Sequence, residues 1–576
     1  LNVKNKPAQQ TFFIAIIFLV ALLGWTIWQF HFNYMISLYD TFFHTQRIYD
    51  IRLAFLHHAL PSWVNFNTFY NTGQAVNGMY PDLTLWPLVL VTNFLTPIHQ
   101  IIAIKSLIAF LTFIVTFLSL NKRFESRNAV LAAIIFTLSG SVLKDLANEM
   151  QTGTAIIMIF AFPILFTLKD AIESKKVEPK LIIKTALLMT IVINSHLLSA
   201  VVITIIAGLF LIVITVIRKN YQAWLNLAIA AFLTVLLSAP LLYRIVKISK
   251  TGLLAPFGKG HVTSESLWNL FSTTSWSAKS TISEIAIVLI IITLIGIKRD
   301  KIKQLLPWLS LELLLIIFCT NILPWNLLSH LPIIDTFQAA NWRFGIFLGI
   351  APLIMVLINF KERTSRIILL ILAVLSFILA FRNSYNFQYY HTANLTVVNK
   401  YTSTMVPPND TVKLTSTGIN SNKLSRTLLP DYAPNSAPLQ KGSNGASFDP
   451  QLSYLITNQL GTTKTKDIPL THTTTVNSIT FKAHNVPKGS ISLPVFGYRT
   501  LKYRITLNGK PTTAHLNNYG LITIESQSNL KHANYKIEFI QPTLYKALLW
   551  MSTILFLVLL IGLTVPIKKS NYFQIS

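Results

Sequence analysis

Long apolar runs alternate with short polar connectors along this chain, and the pattern changes once, near residue 382. The runs are roughly 15 to 22 residues long, close to the length of about 20 that a helix needs to cross the hydrocarbon core. They fall at 11–30, 101–120, 129–144, 153–168, 181–195, 198–217, 223–243, 283–297, 303–321, 344–360, 367–381 and 543–566. Leu, Ile, Val and Phe fill them without the two-residue alternation of a barrel strand, so the pattern predicts a polytopic α-helical membrane protein with about twelve transmembrane helices. The stretch 83–97 is short and carries Pro87, which predicts a re-entrant or interfacial piece.

Between 382 and 542 the apolar runs vanish. Thr, Asn, Ser, Pro and Tyr take over, and short alternating stretches appear at Tyr503–Leu507, Leu521–Glu525 and Tyr535–Phe539. Asn508-Gly509 lies just after the first of these and is a hairpin signal, so the second half of the region is expected to be a small antiparallel β domain. Residues 404–450, rich in Pro and Asn, read as extended loop. The expected organisation is a multi-helix domain over 1–381 with a first outer loop at 31–82, a β-rich domain over 382–542, and a terminal helix and tail over 543–576.

Composition agrees with the pattern. The chain is 52% hydrophobic and 12% charged, with a mean hydropathy of +0.52. Its one cysteine, Cys319, excludes a disulfide within the chain and a cysteine-based metal site. The 48 Lys+Arg against 21 Asp+Glu favour anionic partners. On a membrane protein these are lipid headgroups, phosphate-linked substrates or an anionic envelope polymer rather than nucleic acid. The region 382–542 alone carries 16 Lys/Arg against 6 Asp/Glu.

Charge also orients the chain. With 83–97 not counted as a crossing, the basic connectors fall on one side: Lys4/Lys6, Lys122/Arg123/Arg127, Lys169 to Lys180, Arg218/Lys219, Lys298 to Lys303, Lys361/Arg363/Arg366 and Lys568/Lys569. The positive-inside rule then expects cytoplasmic termini, an uncleaved first span after Lys4 and Lys6, and an extracytoplasmic β domain. Asp40, His44, Arg47, Asp50, Asp82, Asp145, Glu149, His196, Glu265, Asp335 and Arg343 all sort to the outer side.

Several of these carry candidate chemistry. Asp40, His44 and Arg47 stand at i, i+4 and i+7, which puts a base, its partner and an anion binder on one helix face; an amphipathic juxtamembrane helix has the same spacing. Asp145 and Glu149, at i and i+4, suit a divalent cation such as Mg or Mn, or a cationic side chain. His196, at a turn between two apolar helices, is placed to orient phosphate or move a proton, or simply to bond the backbone. Arg343, next to Trp342, is a candidate clamp for a lipid-linked phosphate, with snorkelling as the alternative. No Walker A loop, G-x-G-x-x-G, H-E-x-x-H or C-x-x-C occurs, which leaves ATP-driven transport, nicotinamide chemistry and zinc proteolysis by those devices unsupported.

Asp40-Thr-Phe-Phe-His44-x-x-Arg47, Asn77-Gly-Met-Tyr-Pro-Asp82, Asp145-x-x-x-Glu149, Ser195-His196, Trp342-Arg343 and the β domain before a last helix together resemble the YfhO-like membrane proteins of Gram-positive bacteria, which look like members of the GT-C superfamily of polytopic glycosyltransferases. The resemblance implies a GT-C-like fold, a polyprenyl-phosphate sugar as donor, transfer on the outer face, and a teichoic acid as acceptor. It implies Asp40 as catalytic base, beside which the helical spacing sets His44 and Arg47. Asp82, His196, Trp342 and Arg343 become candidate substrate-binding residues, and Asp145 and Glu149 candidate metal ligands. An Asp-x-Asp beside Asp40 is lacking, which leaves a metal requirement open. A lipid or polymer transporter and a non-catalytic envelope scaffold remain the rival readings.

The orientation is testable in intact cells. Cysteines placed at Lys122 or Lys301 are expected to stay unlabelled by a membrane-impermeant thiol reagent, and labelling at either would reverse the orientation.

Overall fold

The computed structural model describes residues 6–564 apart from 38–39, 148–149, 256–259, 261, 273–282, 390–394, 400–410, 422, 425–427 and 444–446. Among them, seven helices are long and apolar enough to cross a membrane: Ala8–Phe30, Pro97–Asn121, Leu197–Arg218, Arg299–Cys319, Ala340–Asn359, Glu362–Tyr389 and Thr543–Thr564. Two bent pairs, Thr152–Ile159 with Ala161–Glu173 and Gln222–Leu237 with Ala239–Ser249, bring the number to nine if each is one span. Their outward faces keep large apolar side chains exposed, such as Phe12, Ile217, Phe232, Ile371 and Ile561, as a lipid-facing bundle requires. The protein is a multi-pass membrane protein.

Fewer helices pass as single spans than the dozen expected from hydropathy, because apolar runs do not reveal breaks. The run 153–168 bends by 60° at Phe160, shortly before Pro163, and the run 223–243 bends by 67° at Ser238, just before Pro240. A proline within the first turn starts a new helix in a new direction at little cost. The run 129–144 is divided between Ser126–Thr137 and Gly140–Ala147. The stretch 83–97 holds only the short helix Trp86–Val91, too short to span. At the other boundary, Glu362–Tyr389 continues past the apolar run for a total of 28 residues. At about 1.5 Å per residue this exceeds a hydrocarbon core of about 30 Å. Its last turns end in an aromatic cluster, with Tyr389 6.3 Å from Trp28 and 5.9 Å from Phe32 between ring centroids.

The β domain is two five-stranded antiparallel sheets packed on one core. One runs Lys510–Pro511, Tyr503–Leu507, Leu530–Phe539, Ser478–Val486 and Thr471–Thr474; the other runs Ala514–Leu516, Leu521–Ser526, Gly489–Phe496, Leu460–Thr463 and Asp467–Pro469. The alternation along Ser478–Val486 points Ile479, Phe481 and Ala483 inward, and the register sets Ile479 opposite Ile537 and Ile537 opposite Ile505. The expected hairpin forms at Asn508-Gly509, with φ of 49° and 79° in the two-residue turn, a conformation that Asn and Gly adopt readily.

The core of this domain is not built from 382–542 alone. Trp63, Val64, Phe66, Tyr70 and Ala75 of the first loop lie in it, with Ile248 of the second bent pair. Backbone groups seal the union: Phe496 N–H donates to Thr72 O at 2.8 Å, and the Tyr498 hydroxyl accepts from Ala75 N–H and donates to Tyr432 O, each at 2.8 Å. Nearer the bundle, Tyr34–Ser37 pairs antiparallel with Val412–Thr415, and Val397–Val398 adds in parallel. Part of the region read as extended loop is therefore strand, paired with residues just after the first helix.

Trp63 is fully buried and touches the rings of Tyr545 and Phe539. Trp63→Ala should destabilise the protein by about 3–5 kcal/mol, the usual cost of emptying such a site. The readout is the thermal unfolding midpoint of the full chain in detergent; an unchanged midpoint would show that the first loop is not part of the β-domain core.

Candidate functional site

The helix Thr41–Leu56 begins just beyond the strand Tyr34–Ser37, with Asp40 as its flanking residue. The expected face exists, but its members differ in surroundings. Asp40 is exposed and its carboxylate, unused as a cap, accepts from Gln151 Nε2 at 2.9 Å. His44 and Arg47 are buried. The Arg47 guanidinium donates to Pro81 O at 2.8 Å and to His44 Nδ1 at 3.3 Å, and lies 4.1 Å above the Tyr80 ring. Because a guanidinium only donates, His44 Nδ1 is the acceptor there, and the proton of its neutral ring sits on Nε2.

Tyr80 is the hub. Its ring is 5.6 Å from His44 and 6.1 Å from His196. His196 stands between the helices Pro179–Ser195 and Leu197–Arg218 and caps the second, its Nδ1 accepting from Ser199 N–H at 3.3 Å with the Ser199 hydroxyl 2.8 Å away. Burial, followed by repulsion from the Arg343 and Arg47 guanidiniums, pushes its pKa down to about 3. His196 is thus neutral at physiological pH and offers Nε2–H as a donor, not a positive charge.

Arg343 lies on the short helix Ala340–Phe344 and donates to Phe337 O at 2.9 Å and to Gln338 Oε1 at 2.5 Å. Its charge acts on Asp40, Tyr80, Tyr432 and His196. Burial opposes the Arg47 charge, with Tyr80, Asp82 and Tyr432 favouring it. Among the described residues neither Arg47 nor Arg343 forms an ion pair. Both guanidiniums act on Tyr80, Tyr432 and His196, and Arg343 also on the exposed Asp40 carboxylate, while neither has a carboxylate partner within bonding distance among the described residues.

The corner that carries Gln151 is tight. Met150 has φ 55°, and a Cβ at Gly153 would come within 2.4 Å of Ser195 O, so only glycine lets the helix Thr152–Ile159 approach the His196 turn this closely.

The remaining expected residues fall out differently. Asp82 is not available to a substrate: one oxygen accepts from Arg244 at 2.7 Å, in an ion pair whose side chains are 1% and 0% exposed, and the other accepts from Trp86 Nε1 at 3.0 Å. It positions the loop. Trp342 is 39% exposed. Glu149 and the side chain of Asp145 lie outside the described residues, and among those described no three His, Cys, Asp or Glu side chains gather as a metal would need. Asp50 is turned away from the cluster and secures the first loop, accepting from Asn65 and from Thr68 Oγ1; burial raises its pKa to about 6. Sequence reasoning assigned no role to Gln151 or Tyr432, and Tyr80 figured only within the motif Asn77-Gly-Met-Tyr-Pro-Asp82. Tyr432 comes from the stretch read as featureless loop, and burial pushes its hydroxyl far up, so it stays a neutral donor.

No protein-family model matches this sequence, and no curated protein matches it. The YfhO-like resemblance therefore rests on the short motifs alone. Among solved structures, the arabinofuranosyltransferase AftD from mycobacteria aligns with 65% of this chain and 27% of its own, at 16% identity and a TM-score of 0.41. ArnT from Cupriavidus metallidurans, solved bound to undecaprenyl phosphate, aligns with 64% of this chain and 59% of its own, at 15% identity and a TM-score of 0.30. The chain thus spans about a quarter of the first protein's length and under two thirds of the second's. Likenesses this distant carry no weight for the site, which stands on its own geometry.

A depressed histidine pKa has a defined linkage sign. The unfolded chain takes up a proton below the ordinary value of 6.5, which the folded chain refuses until about 3. The contribution of neutral His196 is therefore complete above pH 6.5 and is lost as pH falls toward 3. His196→Asn keeps an acceptor for Ser199 N–H and does not titrate. It should flatten this part of the stability-versus-pH curve relative to wild type, which also isolates it from the opposite contribution of Asp50. Superimposable curves would contradict the assignment.

Proposed function

We propose that this protein is a membrane glycosyltransferase of the GT-C type, moving a sugar from a polyprenyl-phosphate donor to a cell-envelope acceptor, such as a teichoic acid, on the outer face. The observation that carries the reading is that the Arg47 and Arg343 charges, neither ion-paired among the described residues, act together on Tyr80, Tyr432 and His196, with the exposed carboxylate of Asp40 within the field of Arg343. A hydroxyl acceptor is a weak nucleophile until a base takes its proton as the new bond forms. The leaving phosphate needs cations placed where its charge develops.

In this mechanism Asp40 accepts the proton of the acceptor hydroxyl while that oxygen attacks the anomeric carbon. The bond from that carbon to the phosphate oxygen breaks, and polyprenyl phosphate departs. A single displacement of this kind inverts the anomeric centre. Arg47 and Arg343 hold the phosphate before and after the step, and His196 adds a neutral Nε2–H donor. Gln151 orients the Asp40 carboxylate. Asp145 and Glu149 would hold a divalent metal, which would supply further charge for the leaving phosphate, and no step above is routed through one. The basic β domain fits an anionic acceptor polymer, which its cations would hold by salt-sensitive attraction.

A second reading has the two bent helix pairs in its favour, since discontinuous helices also mark lipid and polymer carriers. A carrier would move lipid-linked sugar across a bilayer without making a glycosidic bond.

Asp40→Asn separates these readings, because it keeps size and a hydrogen bond to Gln151 but cannot take the proton. In proteoliposomes with a polyprenyl-phosphate sugar and a polyol-phosphate acceptor, turnover should fall by roughly 10²- to 10⁴-fold with donor binding retained. Wild-type turnover in a normally produced variant would remove Asp40 from catalysis. Sugar moved but never transferred by the wild type would favour the carrier.

A further inference from the structure

We infer that Glu312 is the positioning residue for Arg343, acting through a break in the helix that bears it; the inference rests on the reading of Arg343 as a phosphate clamp. Glu312 lies midway along Ile302–Cys319, inside a membrane span, and is 2% exposed. A carboxyl group in that setting is costly unless something in the fold requires it. Its Oε1 accepts from the backbone N–H of Gly349 at 3.0 Å, while Oε2 is buried without a hydrogen-bond partner.

Gly349 is where the span Ala340–Asn359 breaks. The helix Ala340–Phe344 tightens through Gly345–Phe347, the chain turns at Leu348 and Gly349, and a new helix starts at Ile350. Gly349 has φ +89°, and a Cβ there would sit 2.8 Å from the Ala286 Cβ. The left-handed conformation and the close approach both demand glycine. The N–H of this flanking glycine has no partner within its own helix, and the neighbouring span supplies the acceptor.

Upstream, the segment is held by Ala340 N–H donating to Thr263 O at 2.8 Å and by Phe344 stacked on Phe318 at 4.5 Å. Phe318 and Glu312 belong to the same helix, so one rigid element fixes both ends of the six-residue stretch from Phe344 to Gly349, just beyond Arg343. Without the Glu312 acceptor, the Gly349 N–H loses its buried partner and the stretch has reason to rewind toward continuous helix. Winding of that kind rotates Arg343 about the helix axis, away from Tyr80 and Asp40.

The test has one arm independent of catalysis. In a Cys319→Ala background carrying Arg343→Cys, the labelling rate of the new thiol by a soluble maleimide reports where position 343 faces. Glu312→Gln keeps the acceptor and should label as the parent does. Glu312→Asp, which folds with a shorter reach, and Glu312→Ala should change the rate. In the native-arginine background, Glu312→Asp and Glu312→Ala should lower kcat on the order of 10- to 100-fold, the effect of misplacing a catalytic-site cation by about 1 Å, with Glu312→Gln restoring most of it. Equal labelling across all Glu312 variants would overturn the inference, as would a Glu312→Gln variant as impaired as Glu312→Ala. If labelling changes as expected but the wild type transfers no sugar, Glu312 does position residue 343 and it is the transferase reading that fails.

Discussion

Everything at the end of the bundle nearest the β domain depends on how three residues, Tyr80, Pro81 and Asp82, are pinned. Arg244 bonds the Asp82 carboxylate and the Tyr80 carbonyl, Arg47 bonds the Pro81 carbonyl, and Trp86 takes the second Asp82 oxygen. An ion pair this deeply buried yields little net stability against an apolar replacement, because desolvation offsets most of the attraction, but losing one partner strands a charge. What the pair secures is specificity of position. It joins the first loop to the second bent helix pair, and Tyr80 is thereby held where His44, Arg47 and His196 meet.

That arrangement separates two kinds of cationic side chain. The histidines each use Nδ1 as an acceptor, His44 toward Arg47 and His196 toward Ser199, and so present neutral Nε2–H donors. The arginines keep their charge even when desolvated. The positive field at the site therefore comes from Arg47 and Arg343 and should hold steady across physiological pH. A phosphate leaving group needs a field of that kind, whereas histidines titrating nearby would have made it vary. Tyr432, from the region 382–542, links that region electrostatically to the same cluster.

Local rules made part of this visible from the sequence. Helical spacing put Asp40, His44 and Arg47 on one face, and Asn508-Gly509 announced its hairpin, because each depends only on neighbours in the chain. The union of the first loop with the β domain was not visible, since Ala75 and Tyr498 meet across more than four hundred positions and no local pattern links them. Asp82 was misjudged for the same reason: a carboxylate in an outer loop reads as a ligand until its distant partner, Arg244, is known. Breaks in apolar runs hid the bent pairs, and Tyr432 and Gln151 gave no signal because an isolated tyrosine or glutamine in a loop is ordinary.

The central claim is that Arg47 and Arg343 form a site for a lipid-linked phosphate. Equilibrium binding of a short-chain polyprenyl phosphate, compared with the matching polyprenol, to wild type and to Arg47→Gln, Arg343→Gln and double variants in nanodiscs tests it most directly. A hydrogen bond to a charged group contributes roughly 1.5–3 kcal/mol, so each substitution should weaken phosphate binding on the order of 10- to 100-fold and leave polyprenol binding unchanged. Equal affinity of the wild type for phosphate and alcohol, or a double variant that binds the phosphate as the wild type does, would contradict the account.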